Sequence, residues 1–358
     1  MKCLVTGAAG FIGSELTRAL LKEGFTVRAL LHSGESDANI AGLPVEKIFG
    51  DMRDKNAIEK AVAGMDYVFH TASLYELTYV YTRYPKEMYD VNVEGTRTIC
   101  QAALEAGVKK FVYTGSTGSI GCIPNTPTKE DAEFNMFKTR SHYEKSKALG
   151  EKTALAFHQK GLPVVSINPS FLIGPRDSRP SPTGEIILNF LNRHYPVYFD
   201  APLTLSEMKG TIQAHLNALT RGVSGTRYIV TSDYQLTVKE YFQILQRVSG
   251  IQMPKIGVPL MVLFVVSALN EYAIGFVRLF GIGKKLRPLI AHDLMRYFSQ
   301  GCRYDSSRAQ RELGFAPEPI ETAIRESVDW YVKNGYVKTS SCEKYYAHQK
   351  TLNTNPRH

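Results

Sequence analysis

Residues 2–13 read KCLVTGAAGFIG. A short apolar run ends in glycines at Gly7, Gly10 and Gly13, and a helical pattern then covers 11–23 and stops near Gly24. Each glycine has a physical use in a strand–turn–helix unit. Gly7 permits the tight turn, Gly10 leaves the backbone open to a ligand, and Gly13 lets helix and strand pack closely. Free N–H groups and the dipole at a helix N-terminus favour an anion, so this turn suits a pyrophosphate. The spacing is G-x-x-G-x-x-G, and glycines alone also make structural turns. Position favours the ligand reading, because this is the first strand-to-helix junction of the chain.

Outward from this unit the two patterns alternate. Strand-like runs fall at 26–31 (TVRALL), 45–49, 67–70, 110–114 (KFVYT) and 163–168 (PVVSIN). Helical runs fall at 54–62, with Asp54 as its cap, at 85–106 and at 142–159. Such alternation means β-α-β units with right-handed crossovers, hence an α/β fold with a doubly wound parallel Rossmann sheet. After Pro169 the rhythm changes, and Pro175, Pro180 and Pro182 mark a loop. The expected division is a Rossmann domain over 1–173 with a return near 211–231. A smaller, mostly helical substrate domain takes 174–210 and 232–338, and a basic tail takes 339–358.

Composition narrows the class. The chain has 358 residues, 44% hydrophobic and 22% charged, which excludes a disordered, collagen-like or coiled-coil architecture. Lys+Arg exceed Asp+Glu by 43 to 34, a net +9, but no compact basic run with interleaved aromatics suggests nucleic acid. Five widely spaced cysteines without C-x-x-C disfavour a disulfide framework and a metal site, and suit a reducing, cytoplasmic setting. The N-terminal apolar stretch is broken by glycines and lacks a cleavage site, so it reads as the first strand. Residues 258–276 (VPLMVLFVVSALNEYAIGF) carry Glu271 as their one charge. Three readings of 255–285 stay open: a buried helical pair lining an apolar pocket, a membrane-surface anchor flanked by Lys284, Lys285 and Arg287, or a span interrupted by Pro259 and Gly275.

Two further motifs carry chemistry. In Tyr143-x-x-x-Lys147 the residues share a helix face, and a neighbouring ammonium makes a tyrosine a usable general acid/base. Ser141 and Glu144 match a helix-start cap. Ser116, in YTGSTG (113–118), follows a strand and stands at the carboxyl edge, where its hydroxyl can reach a substrate oxygen.

These motifs come in order along the chain. With them come Gly50-Asp51, His70-x-Ala72, Asn92-Val93-x-Gly95-Thr96 and Asn168-Pro169-Ser170 leading to Ile173-Gly174-Pro175. Together they resemble the extended short-chain dehydrogenases/reductases over residues 1–337. The closest likeness within them is to the dihydroflavonol-reductase-like branch, and 168–192 is also similar to hopanoid-associated sugar epimerases. The resemblance implies that Gly7, Gly10 and Gly13 wrap a dinucleotide, with Phe11 and Ile12 supplying N–H groups. Asp51 and Met52 would flank the adenine, and Ala72 would line the ribose and phosphates. Ser116 would orient the reacting oxygen, Tyr143 would be the acid/base, and Lys147 would bind the nicotinamide ribose and tune Tyr143. Pro169 and Ser170 would lie by the nicotinamide, and Asn92 would support the site structurally. A homodimer through 86–106 and 142–160 is also implied.

The departures are informative. No acid ends the second strand, where NAD-preferring members keep one. His32 stands where an NADP-preferring member has Arg, which favours NADP over NAD. At 205–209 (LSEMK) the relatives' Val-Asp-Asp helix start is missing. At 294–299 the basic clamp of nucleotide-sugar enzymes is missing, which favours an apolar small-molecule substrate. The leading expectation is therefore an NAD(P)-dependent carbonyl–alcohol oxidoreductase. A sugar or nucleotide-sugar epimerase that retains its cofactor is the alternative, and a non-catalytic nucleotide sensor is a minor one. Dehydration is disfavoured because Thr117 stands where a dehydratase carries an acid.

Overall fold

Apolar runs without polar alternation make strands buried on both faces. β1 (Lys2–Thr6) is such a strand, buried at every position after its first. The structure is a computed structural model and describes residues 1–75, 85–135, 141–232, 235–279 and 292–354. After β1 come α1 (Phe11–Lys22), β2 (Thr26–Leu31), β3 (Glu46–Phe49), α2 (Lys55–Val62) and β4 (Tyr67–His70). Then follow α3 (Pro85–Tyr89), α4 (Thr96–Glu105), β5 (Lys110–Thr114), α5 (His142–Ala156) and β6 (Val164–Pro169). The remainder gives α6 (Pro182–Leu191), α7 (Met208–Ala218), β7 (Thr226–Val230), α8 (Val238–Ser249), α9 (Leu260–Leu279), α10 (His292–Gln300), α11 (Ile320–Lys333) and α12 (Thr339–Thr354).

The seven strands form one parallel sheet in the order β7-β6-β5-β4-β1-β2-β3. Chain order reverses beside β1, so the crevice at the carboxyl ends of β1 and β4 is the switch point where such sheets bind ligands. One face packs on α1 and α7 through Leu16, Leu20 and Ile212. The other packs on α2, α4 and α5 through Ile58, Ile99 and Ala154. A third core, with Phe190, Tyr241, Leu245, Phe298 and Tyr331, gathers helices from the second half of the chain.

Several caps are as the sequence implies. Asp54 accepts from the N–H groups of Asn56 and Ala57, and Ser141 accepts from that of Glu144. Glu207 fills the doubtful position at 205–209: its buried carboxylate caps α7 by accepting from Gly210 N at 2.8 Å.

Other expectations need correcting. The helix over 85–106 is three pieces, because a π-helical turn, Asp90–Gly95, separates α3 from α4. In that turn Asn92 accepts from Leu74 N at 2.7 Å and donates to Ser146 Oγ at 3.0 Å, tying α5 to the end of β4. The basic tail is largely α12. It docks on α8, where His348 Nε2 meets Arg247 O at 2.7 Å and Gln349 donates to Val248 O at 3.0 Å. Cys122 and Cys302 form a disulfide across a sequence separation of 180, and Cys3, Cys100 and Cys342 are free. Sequence spacing cannot reveal such a pairing, because the fold brings the two residues together. Arg303 and Tyr304 pair with Pro127 and Thr128 beside that bridge.

The apolar segment becomes α9, and it packs against α10 with reversed polarity. Ser267 and Glu271 face inward, where Ser267 Oγ meets His292 Nδ1 at 2.9 Å and Glu271 accepts from His292 N at 3.1 Å. Met261, Val265, Leu269, Tyr272 and Phe276 face outward, with Tyr272 71% exposed. Among the described residues it is the one helix long and apolar enough to cross a membrane, and only 17% of that window is buried. Lys284, Lys285 and Arg287 lie outside the described residues.

Candidate active site

The turn after β1 has the shape the glycines require. Gly7 has φ +65°, and a Cβ there would stand 2.8 Å from Ala72 Cα. A Cβ on Gly13 would collide with Gly7 O, whereas one on Gly10 would meet only Gly7 O, at 3.1 Å. Gly10 is the N-cap of α1, whose first turn carries neither an acidic residue nor a side-chain cap. The N–H groups of Phe11, Ile12 and Gly13 thus head an open, anion-favouring helix end, and the site fits a dinucleotide pyrophosphate. Asn39 donates to Ala9 O at 3.0 Å and fixes the turn from outside. Thr6 Oγ1 accepts from Ala72 N at 3.2 Å and meets His70 Nδ1 at 2.8 Å. Burial holds the His70 ring neutral, with its pKa lowered to about 3.

At the end of β2, His32 is exposed and its Nε2 lies 3.5 Å from Asp51 Oδ2. Asp51 is held low, at about 2, first by its hydrogen bonds from Arg53, at 2.8 Å to Nε. Arg28 is not free for a ligand. It binds Glu46 at 2.9 Å and the carbonyls of Ala61 on α2 and of Ala63 just after it, each at 2.9 Å. Met52 is buried, with its Cβ against Gly95.

The candidate acid/base groups meet at the carboxyl end of β5. Tyr143 and Lys147 stand one turn apart on α5, and the Ser116 side chain lies close enough to Tyr143 to bear on its phenol. The Tyr75 ring closes edge-on over Tyr143 at 4.6 Å. Lys147 Nζ donates to Thr114 O at 2.7 Å and lies 4.8 Å from the Tyr113 ring centre. Burial raises Tyr143 above its ordinary value, and the nearby Ser116 hydroxyl opposes this. Burial brings Lys147 down to about 8, against the pull of Glu151. A phenol, an ammonium and a hydroxyl so placed can pass one proton to or from a substrate oxygen.

The model of the NAD dependent epimerase/dehydratase family matches residues 3–199. The chain belongs to that family. It is an enzyme of the extended short-chain dehydrogenase/reductase type, whose members use a nicotinamide dinucleotide. It is 32% identical to "Sterol demethylase protein B" of Methylococcus capsulatus, over 94% of this chain and all of that one. It is 33% identical to a "Putative dihydroflavonol 4-reductase" of Synechocystis, over 94% of this chain and 96% of the relative. The crystal structure of gox2253 superposes with TM-score 0.81 at 31% identity, covering 94% of this chain and 99% of that one.

Within this family member, Pro169 and Ser170 end β6 beside the triad's strand, and Ser170 N donates to Ser206 Oγ at 2.8 Å. The hydroxyls of Ser170, Tyr297 and Tyr304 are buried without a hydrogen-bond partner among the described residues. Phe171 packs on Tyr297 and Phe298 with centroids 5.4 and 6.4 Å apart, so α10 gives the site an aromatic wall. These α10 residues left no motif in the sequence.

Two more residues, His215 and Glu151, escaped the sequence reading, and Glu144 was read there only as part of a cap. Glu144 turns toward Gly118 and stands close enough to Tyr143, Tyr297 and Tyr304 to raise all three phenols. His215 meets Thr114 Oγ1 at 2.9 Å and is held neutral, at about 4, by burial. Glu151 lies at Tyr143 plus eight, a helical spacing that could have revealed it.

Proposed function

We propose that this enzyme interconverts a ketone and a secondary alcohol on an apolar, polycyclic substrate. The grouping of Ser116, Tyr143 and Lys147 beside the glycine turn carries this reading. A bound nicotinamide supplies or accepts the hydride. Ser116 orients the substrate oxygen, and Tyr143 gives or takes its proton. Burial alone would make Tyr143 a poor acid/base, so the Lys147 ammonium one turn away supplies the stabilisation its phenolate needs. The nucleotide unit spans 1–173 with its return at 211–231, and the substrate unit takes most of the remainder. The apolar substrate is supported by the aromatic wall and by the sterol and flavonol in the relatives' names.

The preferred cofactor is NADP. No carboxylate ends β2, and the nearest acids are engaged: Asp51 by Arg53, and Glu35 by Arg179 at 3.4 Å. That leaves His32 to meet a 2′-phosphate. The decisive experiment mixes purified protein and NADPH with a 3-ketosteroid, a dihydroflavonol or UDP-glucose. Oxidation of NADPH by either apolar ketone is expected. Epimerised UDP-glucose, with NAD released only on denaturation, would replace this reading by the epimerase one.

A second proposal concerns α9. Ser267 and Glu271 point inward while its outward stripe is apolar, unlike a water-facing helix. The excess of basic over acidic residues matches an anionic lipid surface. The stripe therefore rests on lipid, next to the helix that walls the substrate site. Co-sedimentation with phosphatidylglycerol vesicles is expected, and a protein left wholly in the supernatant refutes it.

A further inference from the structure

Glu151 is 1% exposed and belongs to no motif discussed so far. Its Oε1 accepts from Ser166 Oγ at 2.7 Å and Asn168 Nδ2 at 2.6 Å. Its Oε2 meets Ser119 Oγ at 2.7 Å and Arg227 Nη1 at 3.4 Å. The partners come from β6, the loop after β5 and β7. Asn168 Nδ2 also donates to Ser116 O at 3.1 Å, and Ser119 Oγ lies 2.7 Å from the same carbonyl. The backbone of Ser116 is thus held by two of the groups that bind Glu151. Gly115 is glycine because Asn168 fills the space a Cβ would need.

Tyr143, Lys147 and Glu151 repeat every fourth residue on one face of α5. We propose that Glu151 is a positioning residue of the acid/base centre: its buried carboxylate fixes the Ser116 loop and supplies the counter-charge that lets the Lys147 ammonium stay buried beside Tyr143. This rests on the oxidoreductase reading above. A buried ammonium without an opposite charge sheds its proton.

The other groups around the pair cannot take this role. His70 on β4 and His215 on α7 are held neutral by burial. Tyr113 on β5 is raised by burial and stays a neutral phenol, as Tyr143 does in the free protein. Arg227 on β7 is a cation, also bound to the carbonyls of Glu130 and Ala132. Glu144 on α5 turns toward Gly118 and bears on the phenols, so among the described residues Glu151 is the carboxylate that acts on Lys147.

The test is Glu151→Gln, with Glu151→Asp as the charge-keeping variant. Competitive acetylation of the full chain with acetic anhydride across pH, read by peptide mass spectrometry, gives the Lys147 midpoint without any substrate. It is expected near 8 in the native protein. In Glu151→Gln it should fall by about one unit or more, and the alkaline limb of 3-ketosteroid reduction should fall with it. Glu151→Asp should restore the midpoint to within about half a unit. A midpoint that stays in place in Glu151→Gln overturns the proposal, as does a lowered midpoint in Glu151→Asp where only that variant folds. A midpoint that moves in a protein reducing no ketone upholds the pairing and refutes the oxidoreductase reading instead.

Discussion

Helices α5 and α9 both bury polar side chains, and they differ in what stands opposite. α5 buries Ser146, Lys147 and Glu151 and leaves Leu149 at the surface. Its buried groups are matched within the chain: Lys147 by Thr114 O, Ser146 by Asn92, and Glu151 by the serines, Asn168 and Arg227. α9 buries Ser267 and Glu271, which are matched by His292, but its outward row is exposed, with Met261, Leu269 and Tyr272 each more than 60% open. Both break the rule that apolar residues go in and polar ones out, and real proteins break it where function requires. On α5 the buried polar groups are closed within the chain. On α9 the apolar outward row is exposed.

The largest expected effect tests the α5 side. Tyr143→Phe should lower turnover by about 10²–10⁴-fold while nucleotide affinity, measured by fluorescence titration, is kept. Turnover close to native would make the polar face of α5 a structural device only, and the contrast with α9 would lose its meaning.

A smaller effect concerns the neutral groups beneath α5. Unfolded histidines take up protons below about pH 6.5. Folded His70 and His215 resist until about 3 and about 4. Their folded pKa values are lowered, so acid favours unfolding, and stability should fall as pH drops from 6.5. Each histidine should contribute about 2 kcal/mol of that fall at pH 5. Urea unfolding at pH 7 and pH 5 measures it, and His215→Gln should remove roughly half of the difference.

The smallest effect sharpens the α9 side. Leu269→Gln lies on the outward row and should change stability by less than about 0.5 kcal/mol. The same change should weaken vesicle binding by about tenfold. A stability loss above about 2 kcal/mol in urea titration would show that the row is covered within the chain, and would end the comparison.

Much of the nucleotide half was legible because local geometry constrains it. Gly7 is required by its positive φ and Gly13 by contact with Gly7 O, so the turn could be read residue by residue. The caps at Asp54 and Ser141 and the order Ser116, Tyr143, Lys147 were equally local. What was not legible joins distant segments. Glu151 gains its meaning from Ser119, Ser166 and Arg227, and Arg28 is taken up by Glu46 and the carbonyl of Ala61. The apolar pattern of α9 runs nearly all round the helix, so periodicity could not say which face turns inward. The π-helical turn at Asn92 arises from contacts with Leu74 and Ser146 that no helical period encodes.

The bridge between Cys122 and Cys302 encloses the chain from the end of β5 to the end of α10 in one covalent ring. A protease that cuts once inside that ring opens it without dividing the molecule. The nicked protein would run as one band on a denaturing gel without reductant and as two with it, so limited digestion reports the bond without touching either cysteine.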